Sequence, residues 1–307
     1  MSASGGGKAI IAALLANTGI AVTKFVAFLV SGSSAMLAES VHSVADAGNQ
    51  LLLLVGGRRA RKAADSEHPF GYGRARYIYA FVVAIILFSV GGVFSLYEGV
   101  SKLRDPHPLE NAWLPIVVLV IAIVLESFSL RTAVRESNHV RGTQGWIQFI
   151  RRAKAPELPV VLLEDVAALL GLTFALLGVG LTVVTGDSLW DAVGTIMIGV
   201  LLVLVAVVLG LETGSLLVGE GASNDDVRAI RQALDAHEGV TGVVHMKTLY
   251  LGPDELLVGA KVTFTPGIDI ERVAAIINEL ELAVRAAVPI ARVIYIEPGL
   301  ASVSAAR

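Results

Sequence analysis

Over the first two thirds of the chain, long apolar runs alternate with short polar segments. The pattern predicts helices over residues 8–31 (broken by Lys24), 33–57, 77–97, 114–130 (containing Glu126), 158–184 and 189–211. Each run is near the roughly 20 residues that cross a hydrocarbon core. From Glu212 the pattern changes. Ser223-Asn-Asp-Asp226 reads as a helix N-cap with an acidic first turn, feeding VRAIRQALDAH. Val243–Leu251 and Glu255–Thr265 read as strands joined at Gly252-Pro253-Asp254. Asp269 caps a second helix, and Arg292–Glu297 is a third strand. The predicted fold is an α-helical membrane protein with six transmembrane helices, plus a small C-terminal α+β domain in the order αββαβ. The division falls between residues 1–212 and 213–307, and the tail ASVSAAR is expected to fray.

The second predicted span, MLAESVHSVADAGNQ, departs from the others by carrying Glu39, His42, Asp46 and Asn49. Steps of three, four and three residues, at about 100° each, bring all four to one helical face. An ionisable group at bilayer depth costs roughly 2.5–3.5 kcal/mol on insertion scales, so this face does not fit a lipid-facing position. It turns toward other helices, water or an ion. A histidine and a carboxylate at i, i+4 aim borderline-to-hard donors at one point, which suits a divalent cation. A single polar residue in a span is commonly a packing hydrogen bond; four on one face, two of them acids, exceed that explanation. His42 and Asp46 are the best ligands of the row. Glu39 is a further ligand or a proton carrier, and Asn49 sits behind the ligands.

The fifth span supplies a partner in Glu164 and Asp165. Neighbours on a helix diverge by about 100°, so the two cannot point equally at one centre. Either one ligates while the other hydrogen-bonds, or the longer Glu164 bends round. Glu126 is expected near Arg131, Asp191 as a cap or an entrance charge, and Lys24 beside a carboxylate or snorkelling outward. Asp65, Glu67, His68 and Tyr72, in the loop after the second span, are either a small surface metal site or a solvated loop. His237 and His245 read as surface histidines.

Composition narrows this further. The 307 residues are 54% hydrophobic and only 17% charged, against about 25% charged in soluble domains, so a membrane location with the lipid bilayer as solvent is implied. Net charge is −3, which gives no basis for nucleic-acid binding. There is no cysteine, so no disulfide or thiolate site exists and the candidate ligands are His, Asp, Glu and Asn. No cleavable signal is expected at MSASGGGK. Arginine and lysine concentrate in loop 58–76 and in segment 131–154, which predicts both of these, and both termini, on the cytoplasmic side.

The six spans in this order, HSVAD in the second, EHPFGYGRAR after it and the terminal α+β domain resemble the cation diffusion facilitator family over nearly the whole chain. EHPFGYGRARY, the Glu164-Asp165 pair and ETGSLLVGE most resemble its zinc-transporter-9-like branch. The resemblance implies a homodimeric exporter of Zn2+, or in some branches Mn2+, Fe2+, Co2+ or Ni2+, in exchange for protons. It also implies a metallochaperone-like terminal domain and a tetrahedral site with ligand pairs four apart on the second and fifth helices. The first pair falls on His42 and Asp46, and the later member of the second on Asp165. The earlier member falls on Val161, which cannot bind metal, so Glu164, Glu39 or water completes the set. Asp65 and His68 match a second family site in the loop, but Tyr72 stands where a histidine is common, so that site is expected to be weak or absent. LLVGAKVTF and RVIYIEP carry none of the histidines of the family's cytoplasmic zinc cluster.

The expected function is therefore divalent-cation efflux by metal/proton antiport, with Zn2+ favoured and Mn2+ or Fe2+ as alternatives, in a bacterial-type plasma membrane. Ion and protons are the partners, with no cofactor and no enzymatic chemistry. The competing classes are a non-transporting scaffold or regulator acting through its cytoplasmic domain, and an organic-cation carrier, against which stands the lack of aromatics beside Asp46 and Asp165. An intramembrane metalloprotease lacks its HExxH.

Overall fold

The computed structural model describes residues 18–109, 111 and 113–299. The predicted beginning of the first helix, residues 8–17, and the ASVSAAR tail lie outside the described residues. These residues fall into two compact units, one within Met1–Arg58 and Arg76–Gly214, the other within Arg59–Ala75 and Ser215–Arg307. The division lies just past the expected 212/213 boundary, and it groups the loop 59–75 with the C-terminal residues.

The first unit is helical. Its elements are α1 (Thr18–Ser31), α2 (Ser34–Ala60), α3 (Ala75–Arg104), α4 (Trp113–Arg141), a short α5 (Trp146–Arg152), α6 (Glu157–Thr185) and α7 (Leu189–Val218). Of these, α3, α4, α6 and α7 are long and apolar enough to cross a membrane. The described part of α1 is shorter, and α2, at 27 residues, has the length but carries the polar row. The buried core runs through small and aliphatic residues such as Ala27, Ala35, Met36, Val83, Leu119, Ala167, Leu172 and Leu202. Large apolar side chains including Leu29, Phe128, Leu177, Leu204 and Leu211 stand on the outside. An apolar exterior over a small-residue interior is how helices pack when lipid is the solvent. Gly92 shows how close they come: a Cβ there would lie 2.6 Å from Val203 Cγ2 and 3.1 Å from its backbone nitrogen. Gly92 lies in a π-helical turn, Leu87–Val93, inside α3.

Two features differ from the sequence expectation. The basic stretch after Leu130 is not a loop, because α4 continues to Arg141. No glycine or proline interrupts RTAVRESNHVR, Ala133 and Ser137 keep a buried face at i, i+4, and the helix stops only before Gly142, whose φ is 57°. The seven-residue α5 was not anticipated; its Phe149 is buried in a satellite cluster with Ala133 and Leu162.

In the second unit α8 (Asn224–Asp235), β1 (Val240–Gly252), β2 (Glu255–Phe264), α9 (Ile270–Ala287) and β3 (Ala291–Gly299) give the expected αββαβ order. The sheet order is β1-β2-β3, antiparallel between β1 and β2 and parallel between β2 and β3. Val243 faces Val262, and Val258 faces Ile294. Both predicted caps form: Ser223 Oγ accepts from the Asp226 N–H, and the Asp269 carboxylate from that of Arg272. Ile230 and Leu234 on α8, and Ile276, Leu280 and Val284 on α9, repeat every four residues. They meet the alternating Leu256, Val258, Ala260 and Val262 of β2 in one core. Loop 59–75 packs closely here, since a Cβ on Gly73 would lie 2.7 Å from the Leu251 carbonyl oxygen.

Candidate metal site

The site begins with how α2 starts. Gly32, at φ 66°, turns the chain after α1. Ser33 Oγ then accepts from the Met36 N–H at 3.3 Å and donates to Asp191 Oδ1 at 2.6 Å. Asp191 Oδ2 accepts from the Ser34 N–H at 2.8 Å and from the Ser34 hydroxyl at 3.0 Å. A carboxylate borrowed from α7 therefore caps α2, where orphan N–H groups and the helix dipole favour negative charge. This fixes the rotation of α2 and so the direction of its polar row.

The row faces inward. Glu39 is 0% exposed, His42 1% and Asn49 0%, and the Asp46 side chain is 17% exposed. His42 Nε2 lies 3.5 Å from Asp46 Oδ2. Neither ring nitrogen of His42 has a hydrogen-bond partner, nor does Asp46 Oδ1, although all three atoms are buried. Leaving such groups unsatisfied away from water is costly. A divalent ion bound by imidazole and carboxylate would satisfy one ring nitrogen and the open Asp46 oxygen, so the donors present fit that ligand.

Around this pair the other groups are held by neutral or positive partners. Asn49 Nδ2 donates to Glu164 Oε1 at 2.7 Å. Ser129, on α4, donates to Asp165 Oδ2 at 2.9 Å. Glu164 thus turns to α2 and Asp165 to α4, the divergence that adjacent helical positions impose. Lys24 reaches in from α1, 1% exposed, and places its ammonium 3.0 Å from Glu39 Oε2 and 2.8 Å from Ser43 Oγ. Asp46 lies within Coulomb reach of Asp165, Glu164, Glu39 and Lys24. Among the described residues no three His, Asp or Glu side chains converge closely enough to enclose a metal by themselves. The donors stand in pairs, with Asn49 and Ser129 each engaging one oxygen, Glu164 Oε1 and Asp165 Oδ2. Val161 is partly buried in the apolar cluster with Phe149 and Leu162 and offers no donor.

Sequence reasoning missed three participants. Half-buried Glu126, expected near Arg131, lies within Coulomb reach of Asp46, Asp165 and Glu39. Ser129 and Ser43 hydrogen-bond the acids and the lysine. Serine carries no distinctive signal in a span, but Glu126 and Ser129 are three apart on α4, and that spacing marks a shared face.

The loop candidates, Asp65 and His68, belong to the second unit. Lys62 Nζ donates to Asp65 Oδ2 and to the Tyr72 hydroxyl, both at 2.8 Å, and Tyr72 in turn donates to Asp65 Oδ2 at 2.7 Å. The His68 N–H donates to Asp65 Oδ1 at 2.8 Å, and the imidazole stacks on Tyr72 at 4.3 Å between centroids. An internal ammonium occupies the position a cation would take against this carboxylate. The hydrogen bonds from Lys62, Tyr72 and the His68 backbone hold the Asp65 carboxyl well below the usual range. Its stabilising effect is therefore complete above the unfolded value of about 3.9 and is lost as pH falls through the depressed folded value. Amide protection factors across residues 65–72 should stay level from pH 7 down to about 4 and decline below it; a decline already complete by pH 5 would contradict this pairing. In α8–β3, His237 Nε2 lies 2.8 Å from Glu279 and Nδ1 accepts from the Gly239 N–H, while His245 is exposed.

Apolar helices enclosing buried acids, an imidazole and a lysine define an integral membrane protein with an ionisable interior. The chain belongs to the cation efflux family, the cation diffusion facilitators: residues 10–218 match the cation efflux transmembrane domain, and residues 222–299 match the cytoplasmic domain of cation efflux proteins. It is 31% identical over 267 residues to the mitochondrial proton-coupled zinc antiporter SLC30A9 of Xenopus laevis, covering 86% of this chain and 48% of that protein. It is 30% identical over 259 residues to metal tolerance protein C4 of Arabidopsis thaliana, covering 84% and 57%. A 103-residue stretch is 40% identical to the cation-efflux pump FieF of Shewanella oneidensis, covering 33% of this chain and 34% of the pump. The chain spans about half the length of the zinc antiporters it matches. Their similarity agrees with the branch to which EHPFGYGRARY and the Glu164-Asp165 pair pointed.

Proposed function

We propose that the protein exports a divalent metal cation, Zn2+ in the first place, from the cytoplasm in exchange for protons. The observation that carries this reading is the buried His42–Asp46 pair, whose ring nitrogens and Oδ1 have no hydrogen-bond partner. Glu164 and Asp165 approach the pair from α6 and supply the remaining negative charge. Binding needs a neutral imidazole and ionised carboxylates, so metal and protons compete for the same atoms. Protons arriving from the far side displace the metal, and their departure to the cytoplasm restores the site. No bond is made or broken covalently, so we assign no enzymatic activity and no cofactor. Mn2+ and Fe2+ are the next candidates, because one imidazole among several carboxylates is an oxygen-rich set. The relatives' printed names, a proton-coupled zinc antiporter and a cation-efflux pump, support the same reading. The distribution of basic residues supports both termini on the cytoplasmic side, the membrane we propose is a bacterial-type plasma membrane, and the family resemblance implies a homodimer.

Reconstituted into proteoliposomes, the protein should move Zn2+ along an opposing proton gradient, and collapsing that gradient should remove most of the flux. Absence of flux for every metal in a Zn2+, Mn2+ and Fe2+ panel would favour the scaffold reading.

A further inference from the structure

We propose that Lys24 is a specificity-determining residue: its ammonium keeps Glu39 out of the metal's coordination sphere and so limits the carboxylate oxygens presented beside His42. This rests on the transport reading above. Lys24 is 1% exposed, and an ammonium so placed needs a counter-charge. It finds one in Glu39 Oε2 at 3.0 Å, with Ser43 Oγ as a second partner at 2.8 Å. The other oxygen, Glu39 Oε1, has no hydrogen-bond partner and rests against α6, where a Cβ on Gly171 would lie only 2.8 Å from it. The carboxylate is thus pinned between an ammonium on one side and helix backbone on the other.

Glu39 is one turn before His42 on the same face of α2, within reach of an ion held by His42 and Asp46. The lysine supplies the charge that holds it back. The same ammonium lies within Coulomb reach of His42, Asp46 and Glu126, so it also opposes a second dication in this interior. Imidazole favours Zn2+, whereas each added carboxylate oxygen moves a site toward Mn2+. Removing the charge while keeping the length, as in Lys24→Met, leaves an unpaired buried carboxylate whose best available partner is the metal.

The test is Zn2+ and Mn2+ binding to the purified full-length protein, by competition with a fluorescent chelator. Lys24→Met should raise Mn2+ affinity relative to Zn2+ by on the order of tenfold. Lys24→Arg should keep the wild-type ratio, and Lys24→Met with Glu39→Gln should return to it. The double variant removes both charges together and leaves neither group as an unpaired buried ion, which provides a readout even if Lys24→Met alone does not fold. An unchanged ratio in Lys24→Met, a changed ratio in Lys24→Arg, or a ratio in the double variant that differs from wild type overturns the assignment of Lys24. A wild-type protein that binds neither metal overturns the transport reading, and this inference with it.

Discussion

Asp46→Ala should reduce proteoliposome Zn2+ flux to background, a loss of about 100-fold or more. Among the described residues Asp46 is the carboxylate at ion-pair distance from His42, 3.5 Å, and its Oδ1 has no hydrogen-bond partner. Glu164 and Asp165 are engaged by Asn49 and Ser129, so neither replaces it without a rearrangement of its own. Asp46→Asn keeps the shape but removes the charge that offsets a dication, and should be nearly as inactive. Asp46 makes no hydrogen bond with its inward oxygen, so its removal relieves more desolvation than the 3.5 Å contact to His42 returns, and thermal stability should hold or rise while transport is lost. That divergence separates a ligand from a structural residue. Flux within threefold of wild type in Asp46→Ala would refute the site.

The second large effect is on stability. Asp191→Leu should destabilise the helical unit by about 3 kcal/mol or more, because hydrogen bonds to a charged acceptor contribute roughly 1.5–3 kcal/mol each and the donors left behind are buried. Those donors are the Ser33 hydroxyl and the Ser34 N–H and hydroxyl. Asp191 is 0% exposed, so water cannot enter to replace it. The loss also removes the carboxylate part of the α2 cap, leaving only Ser33 Oγ on the Met36 N–H, and the polar row would be held less firmly at one rotation. Asp191→Asn retains an acceptor and should be milder. Thermal unfolding in detergent, followed by size-exclusion chromatography, measures both variants; a Leu variant as stable as wild type would show that the cap is dispensable.

Local pattern was informative wherever the physics is local. Apolar run length against bilayer thickness marked the spans, and the three-four-three spacing placed Glu39, His42, Asp46 and Asn49 on one inward face. Ser223 and Asp269 cap as their positions require, since capping involves atoms only two or three residues away. The strand expected at Glu255–Thr265 forms as β2. The reading failed where a helix could continue without penalty: a basic stretch looks like a loop, but RTAVRESNHVR contains nothing that stops a helix before Gly142.

Periodicity shows which way a side chain points along its own helix but does not identify what stands opposite. Lys24 and Glu39 are 15 positions apart, Asn49 and Glu164 are 115 apart, and Ser33 and Asp191 are 158 apart. Each pairing depends on how whole helices cross, and that is set by small-residue contacts such as Gly92 against Val203 or Gly171 against Glu39. By itself the sequence determined that acids and a histidine sit inside a membrane bundle, because no lipid-facing alternative is affordable. The tertiary structure alone decided which of those charges are neutralised by a neighbour and which, at His42 and Asp46, are left open for an ion, because a buried charge is satisfied by whatever group packing brings beside it.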